Sequence, residues 1–163
     1  MELIIFIGLQ AAGKSTFFRT RLSEKGYTYV SKDLLSNNRR PEHRQQELIE
    51  AALQAGTSVV VDNTNPTLES RAALIRLGQQ YQAEITGYYF VPEVKLSLER
   101  NKQRSGKARV PDVAIFTTRK KLVPPSFAEG FARLYQVRAG DDGSFAVEPY
   151  TEPVDRKAEE THG

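Results

Sequence analysis

Gly8-Leu9-Gln10-Ala11-Ala12-Gly13-Lys14-Ser15 constrains this chain more than any other stretch. Lys and Ser follow the second glycine directly. The run before it, Leu3-Ile4-Ile5-Phe6-Ile7, is apolar at every position, as in a strand covered by helices on both faces. The run after it, Thr16 to Leu22, is compatible with a helix. A strand that turns through glycines into a helix aims backbone N–H groups and a positive helix end at one spot. That spot suits phosphate. The segment from Gly8 to Thr16 is therefore expected to wrap a nucleotide's phosphates. Lys14 would reach the β- and γ-phosphates, and the Ser15 hydroxyl would ligate Mg²⁺.

Strands alternate with helices along the rest of the chain, which predicts an α/β fold with a mainly parallel, three-layer sheet. A first helix is expected from about Lys14 to Glu24, stopped by Gly26. Tyr27 to Val30 reads as a short strand rich in β-formers. Pro41 to Ala55 reads as an amphipathic helix, with Pro41 at the first helical position. Thr57 to Asp62 is the third strand. Asn65 is expected to cap a helix that ends near Leu77 at Gly78. Ala83 to Val91 is the fourth strand, and Pro92 opens a helix to about Arg104. Pro111 starts another. Phe131–Val137 and Ser144–Val147 are expected to pair around the turn Asp141-Asp142-Gly143. From Thr151 the chain is polar and charged and is expected to be a disordered tail, so the domain is 1–150 and the tail 151–163.

Three further features bear on chemistry. An apolar strand ending in Asp62 is the Walker-B pattern, whose carboxylate holds Mg²⁺ directly or through water. Asp33 follows the second strand, on the rim where ligands of open α/β sheets sit. A carboxylate there suits accepting a proton from a hydroxyl, although a helix cap or a surface charge would also use an Asp. Between Glu93 and Lys121 nine positive residues face three negative ones, an excess above the +3 of the whole chain. Arg100 and Arg104 share one helix face just before the basic loop Ser105 to Arg109. That arrangement fits a cationic lid over about 92–121, and it also fits a solvated charged face.

Composition excludes much else. At 163 residues the chain suits one domain, and it has no cysteine for disulfides, thiolate metal sites or a cysteine nucleophile. No apolar run has membrane-spanning length, and a cytoplasmic location is the expectation. His43 and His162 are isolated and suggest no metal site. Tyr27, Tyr29, Tyr88 and Tyr89 are read as core or rim packing.

Taken together, these pieces resemble the polynucleotide 5′-hydroxyl kinase group of P-loop kinases, over about Met1 to Leu134. The phosphate loop matches. Ser31-Lys32-Asp33 is similar to the family's general-base segment, and Val61-Asp62-Asn63-Thr64-Asn65-Pro66 is similar to the segment after its third strand. Glu99-Arg100-Asn101 with Arg104 resembles its lid, while Val110-Pro111 and Pro124 to Phe131 resemble its animal members. The resemblance implies a three-layer P-loop kinase fold with a helical lid. It also implies transfer of the γ-phosphate of ATP, with Mg²⁺, to a nucleic-acid 5′ end. On this resemblance Asp33, Lys14 and Arg104 would be catalytic, and Arg100 and Arg104 would contact the donor phosphates. Ser15 and Asp62 would hold the metal. Phage members carry arginines just before the base and three residues after it; here those places are Lys32 and Ser36. No D-x-D-x-T phosphatase stretch occurs. A kinase of small alcohols and an ATPase without an acceptor remain as alternatives.

Overall fold

The structure is a computed structural model and describes residues 1–153. Strand β1 (Glu2–Ile7) lies inside a six-stranded sheet, which is why both of its faces are apolar. It pairs in parallel with β3 (Val59–Val61) on one side and β4 (Glu84–Phe90) on the other. β2 (Thr28–Val30) extends the sheet beyond β3, and β5 (Arg133–Ala139) extends it beyond β4, both in parallel. The last strand, β6 (Phe145–Pro149), runs antiparallel to β5, giving the order β2-β3-β1-β4-β5-β6. The expected mainly parallel α/β sheet is therefore present, with the predicted closing hairpin at its edge.

Alternation along β1 sends side chains into two cores. Leu3, Ile5 and Ile7 face α2 (Pro41–Gln54) and α3 (Leu68–Gln80) through Ile49, Leu53, Leu74 and Ile75. Ile4 and Phe6 face the other way, toward Phe17, Phe90 and Val137. There Phe6, Phe17 and Phe90 form edge-on contacts at 5.3–5.9 Å. Such geometry suits the ring quadrupole. Helices α4 (Val94–Gln103) and α5 (Asp112–Lys121) occupy the span expected to be a lid, and Ile115 anchors α5 in the first core.

Local structure departs from the sequence reading in four places. The first helix is not regular to Glu24. Four α-helical residues (α1, Lys14–Phe17) widen into a π turn over Phe18–Leu22 and close with a 3₁₀ turn before Gly26. Asn65 does not cap α3. Thr67 caps it in a reciprocal box with Ser70, and Asn65 adopts a left-handed φ of 42°. Gly78 does not stop α3 but lies within it, because a Cβ there would come 2.4 Å from Ile85 Cδ1 and 2.8 Å from Leu3 Cδ2. The glycine serves close helix–sheet packing rather than termination. Pro92 and Pro111 precede α4 and α5 rather than opening them, whereas Pro41 does open α2.

The expectation of a disordered tail falls mainly on residues 154–163, which lie outside the described residues. Among the described residues no helix is long and apolar enough to cross a membrane.

Candidate active site

The loop from Gly8 to Ser15 turns tightly where the sequence supplies small residues. Gly13 has φ 90° and Ala11 φ 57°, both in the left-handed region. Gly8 lies against β4, where a Cβ would meet Phe90 Cβ at 2.8 Å. Its amide donates to Thr64 O at 3.0 Å, tying the loop to the segment after β3. Leu9 is fully buried beneath the loop. Gln10 reaches the lid, its Nε2 donating to Thr118 Oγ1 of α5 at 2.9 Å. Ala12 and Thr16 lie on the partly open side.

Lys14 is buried, and its Nζ donates to Gly8 O at 3.0 Å and Leu9 O at 2.7 Å. Burial lowers its pKa from 10.5 to about 8. The Asp62 and Asp33 carboxylates oppose that shift, and the Arg104 charge adds to it. Asp62, Asp33 and Arg104, from separate parts of the sequence, thus lie near enough to act on the Lys14 charge. Arg100 lies against the loop, since a Cβ at Gly13 would lie 2.9 Å from its Nη1. Gly140 O accepts from Arg100 Nη2 at 3.3 Å and steadies that approach. Arg104 does not share a helix face with Arg100 as expected: it follows α4 with extended backbone, and its Nη1 donates to Ala108 O at 3.4 Å.

Asp62 is 5% exposed and directly follows β3, one residue beyond the strand end expected from the sequence. Ser15 Oγ donates to its Oδ2 at 2.8 Å, and the Tyr29 hydroxyl donates to the same oxygen. Neighbouring corners of an octahedron with 2.0–2.1 Å arms lie roughly 2.9 Å apart. Ser15 and Asp62 therefore fit Mg²⁺, which favours a few hard oxygen ligands and keeps waters for the rest. Burial and the bond to Asp62 push the Tyr29 hydroxyl up to about 12, so it stays a donor at neutral pH.

Asp33 is exposed and sits in a 3₁₀ turn, Lys32–Leu35, after β2. It does not cap that turn. Ser31 does, its Oγ accepting from the Asp33 amide at 3.3 Å. The Lys32 amide donates to Asn63 Oδ1 at 2.9 Å, and Asn63 Nδ2 donates to Gln45 Oε1 at 2.7 Å. The turn bearing Asp33 is so fixed to the segment bearing Asp62. Asp33 and Ser15 open into one cleft of about 370 Å³.

Two supports were not legible as such in the sequence. Arg71 is fully buried and pairs with Glu129, Nε to Oε1 at 2.8 Å and Nη2 to Oε2 at 3.2 Å. Its Nη1 donates to Asn65 O and Val123 O, so one guanidinium pins Asn63–Pro66 against the Pro124–Glu129 run. Asn65 Nδ2 donates to Phe6 O at 2.8 Å. Buried Asn101 of α4 donates to Val110 O at 2.7 Å and accepts from the Val110 amide at 3.0 Å, closing the loop between α4 and α5. Tyr29 packs against the second core as expected, and its hydroxyl also meets Asp62 Oδ2 and Ser15 Oγ. No spacing signal distinguishes it from other strand tyrosines.

The AAA domain family matches residues 3–125. The chain belongs to that family. Over 142 residues it is 28% identical to the bifunctional polynucleotide phosphatase/kinase of Schizosaccharomyces pombe, across 83% of this chain and 33% of that protein. The chain spans about a third of the length of the curated relatives it matches. It is similar to a chain of the Pnkp1/Rnl/Hen1 complex, with 26% identity and a TM-score of 0.55 over 61% of this chain and 38% of that one. A gluconokinase from Sinorhizobium meliloti 1021 shares the fold, with a TM-score of 0.60 and 19% identity over 84% and 82% of the two chains. Fold and relatives together put this chain among the P-loop kinases, in a nucleotide-binding fold.

Proposed function

We propose that this chain transfers the γ-phosphate of ATP to a 5′-hydroxyl end of DNA or RNA. One observation carries the reading: the Asp33 carboxylate and Ser15, beside the phosphate loop, open into the same cleft. A hydroxyl entering that cleft meets a proton acceptor on one side and the loop on the other. The names of the curated relatives support a polynucleotide as acceptor.

In this mechanism Asp33 accepts the hydroxyl proton as the oxygen attacks the γ-phosphorus. The bond to the β,γ-bridging oxygen breaks and ADP leaves. Lys14, Arg100 and Arg104 compensate the charge on the migrating phosphoryl group. Mg²⁺, held by Ser15 and Asp62, would supply further charge neutralisation on the phosphates. Asp33 is exposed and returns its proton to solvent.

The test is transfer from γ-labelled ATP to a 5′-hydroxyl oligonucleotide, beside a panel of nucleosides and sugars. Label on the oligonucleotide 5′ end is the expected result. A cleft of this size also admits a small alcohol, so label on panel members alone would replace the acceptor. ATP hydrolysis at the same rate with and without any acceptor would remove the transferase reading altogether.

A further inference from the structure

Gln10 lies in the phosphate loop, one residue after Leu9, whose carbonyl accepts from Lys14 Nζ at 2.7 Å. Its side chain reaches α5, where Nε2 donates to Thr118 Oγ1 at 2.9 Å. Its Oε1 is buried, and among the described residues nothing donates to it. Thr118 is itself buried, three positions after Ile115 on the same inward face of α5. One neutral hydrogen bond returns no more than a buried, unmatched carbonyl oxygen costs. For folding alone, an apolar side chain of the same length would serve this place as well or better. Positions that break such a rule without a gain in stability are expected at functional sites.

The Gln10–Thr118 bond is one link in a continuous line from the loop to an arginine. Helix α5 is seated by Ile115 in the first core, and just beyond its end the Val123 amide donates to Pro66 O at 2.8 Å. Fully buried Asn101 of α4 bonds the backbone of Val110 on both sides and reaches Asp112 Oδ1, in the first turn of α5, at 3.4 Å. Arg104 stands three residues beyond Asn101, and its bond to Ala108 O lies within the same α4–α5 connection. The place of Arg104 therefore follows that of the connection. Arg100 differs, because it has a further hold on Gly140 O, just beyond β5.

We infer that Gln10 and Thr118 are positioning residues: together they form a clasp that sets α5 against the phosphate loop and, through Asn101, places the Arg104 charge near Lys14. The inference rests on the phosphoryl-transfer reading above, whatever the acceptor, and adds what fixes the geometry of its cations. A guanidinium already in place stabilises the charge of the migrating phosphoryl group without reorganising during the step. Small displacements of such a group slow the chemistry even when the change lies far from it. The loop binds the nucleotide with or without the clasp. What the clasp sets is the rate of the step that follows.

The test measures kcat, the KM for ATP and the urea unfolding midpoint of the full chain for Gln10→Met and Thr118→Val, each close in shape to the residue it replaces. Both should lower kcat by roughly 2- to 12-fold, the worth of one neutral hydrogen bond, and the double variant should fall no further. The KM for ATP should stay put on Thr118→Val. The midpoint of Gln10→Met should hold or rise, because the unmatched oxygen is gone. Thr118→Ser keeps the hydroxyl and should keep kcat near that of the wild type. Added to Arg104→Ala, Thr118→Val should change kcat by less than about 2-fold, since the charge it places is absent. An unchanged kcat in both single variants would overturn the inference. So would a loss of kcat that tracks a lower midpoint and persists in Thr118→Ser, the signature of packing alone. A full further loss on top of Arg104→Ala would overturn it as well, because the clasp would then act elsewhere. The rate is read on whichever acceptor the wild-type chain labels, or as ATP hydrolysis if it labels none. Failure of the 5′-hydroxyl reading therefore leaves the clasp on trial, and failure of the clasp leaves that reading in place.

Discussion

Lys14 gives the most demanding prediction, because its buried ammonium links nucleotide affinity to pH. Burial brings its pKa to about 8, against 10.5 in the ordinary state. Below pH 8 the group is charged in folded and unfolded chain alike, and the full cost of burying that charge is present. Between pH 8 and pH 10 the folded chain has released the proton and the unfolded chain still holds it. The unfolded state then binds more protons, so the stability of the nucleotide-free protein rises with pH in that window, on the order of a few kcal/mol from pH 7 to pH 10. The window closes near pH 10. Tyr27, Tyr29 and Tyr150 are pushed up to about 12 by burial. They stay protonated in the fold while the unfolded chain ionises, and stability falls as pH climbs toward 12. ATP reverses the situation at Lys14 because its phosphates favour the charged ammonium. Binding at pH 9 should therefore take up a proton, and the Kd for ATP should rise roughly 50-fold between pH 8 and pH 10. Calorimetry in two buffers of different ionisation enthalpy counts the protons, and urea unfolding at each pH reads the stability. Lys14→Met serves as the control in both, since it carries no titrating group. No proton uptake at pH 9, together with an affinity flat from pH 8 to pH 10, would refute the reasoning.

Asp33→Asn should keep ATP affinity and lower transfer by roughly 10²- to 10⁴-fold, the usual worth of a positioned base; turnover near the wild-type rate would remove Asp33 from the chemistry. Arg104→Ala should lower kcat with the fold intact, as judged by an unchanged unfolding midpoint, because its charge reaches Lys14. An unaltered kcat would assign that charge no part in the reaction. Gly78→Ala should destabilise the chain by about 1–3 kcal/mol in urea unfolding, since the added Cβ overlaps Ile85 and Leu3. Arg71→Met strands the Glu129 carboxylate and should cost about 3–5 kcal/mol, with acceptor-independent ATP binding weakened only as far as stability falls.

Much of this molecule is written in local pattern. An unbroken apolar strand, glycines at the turn, Lys14 and Ser15 at the helix start, and an Asp at the end of the next parallel strand belong to short windows. Each obeys rules that act over a few residues, so each could be read without a fold. Asp33, Arg100 and Arg104 were singled out as candidates in the same way, by their place near the ends of elements. The misread positions share a cause. Gly78 and Asn65 follow local preferences for helix stops and caps, and both preferences lost to contacts made across the sheet, with Leu3 and Ile85 for one and with Phe6 O for the other.

The amino-acid order alone determined the sheet-and-helix alternation, the anion-binding turn and the candidates for proton and metal handling, because these depend on periodicity and residue chemistry at short range. Only the folded chain decided which of them meet. Arg71 reaches Glu129 across 58 positions, Gln10 reaches Thr118 across 108, and Tyr29 reaches Asp62 across 33. Contacts at such separations depend on strand order and helix packing. No local signal encodes them, and with the strand order they bring Ser15, Tyr29 and Asp33 to one cleft.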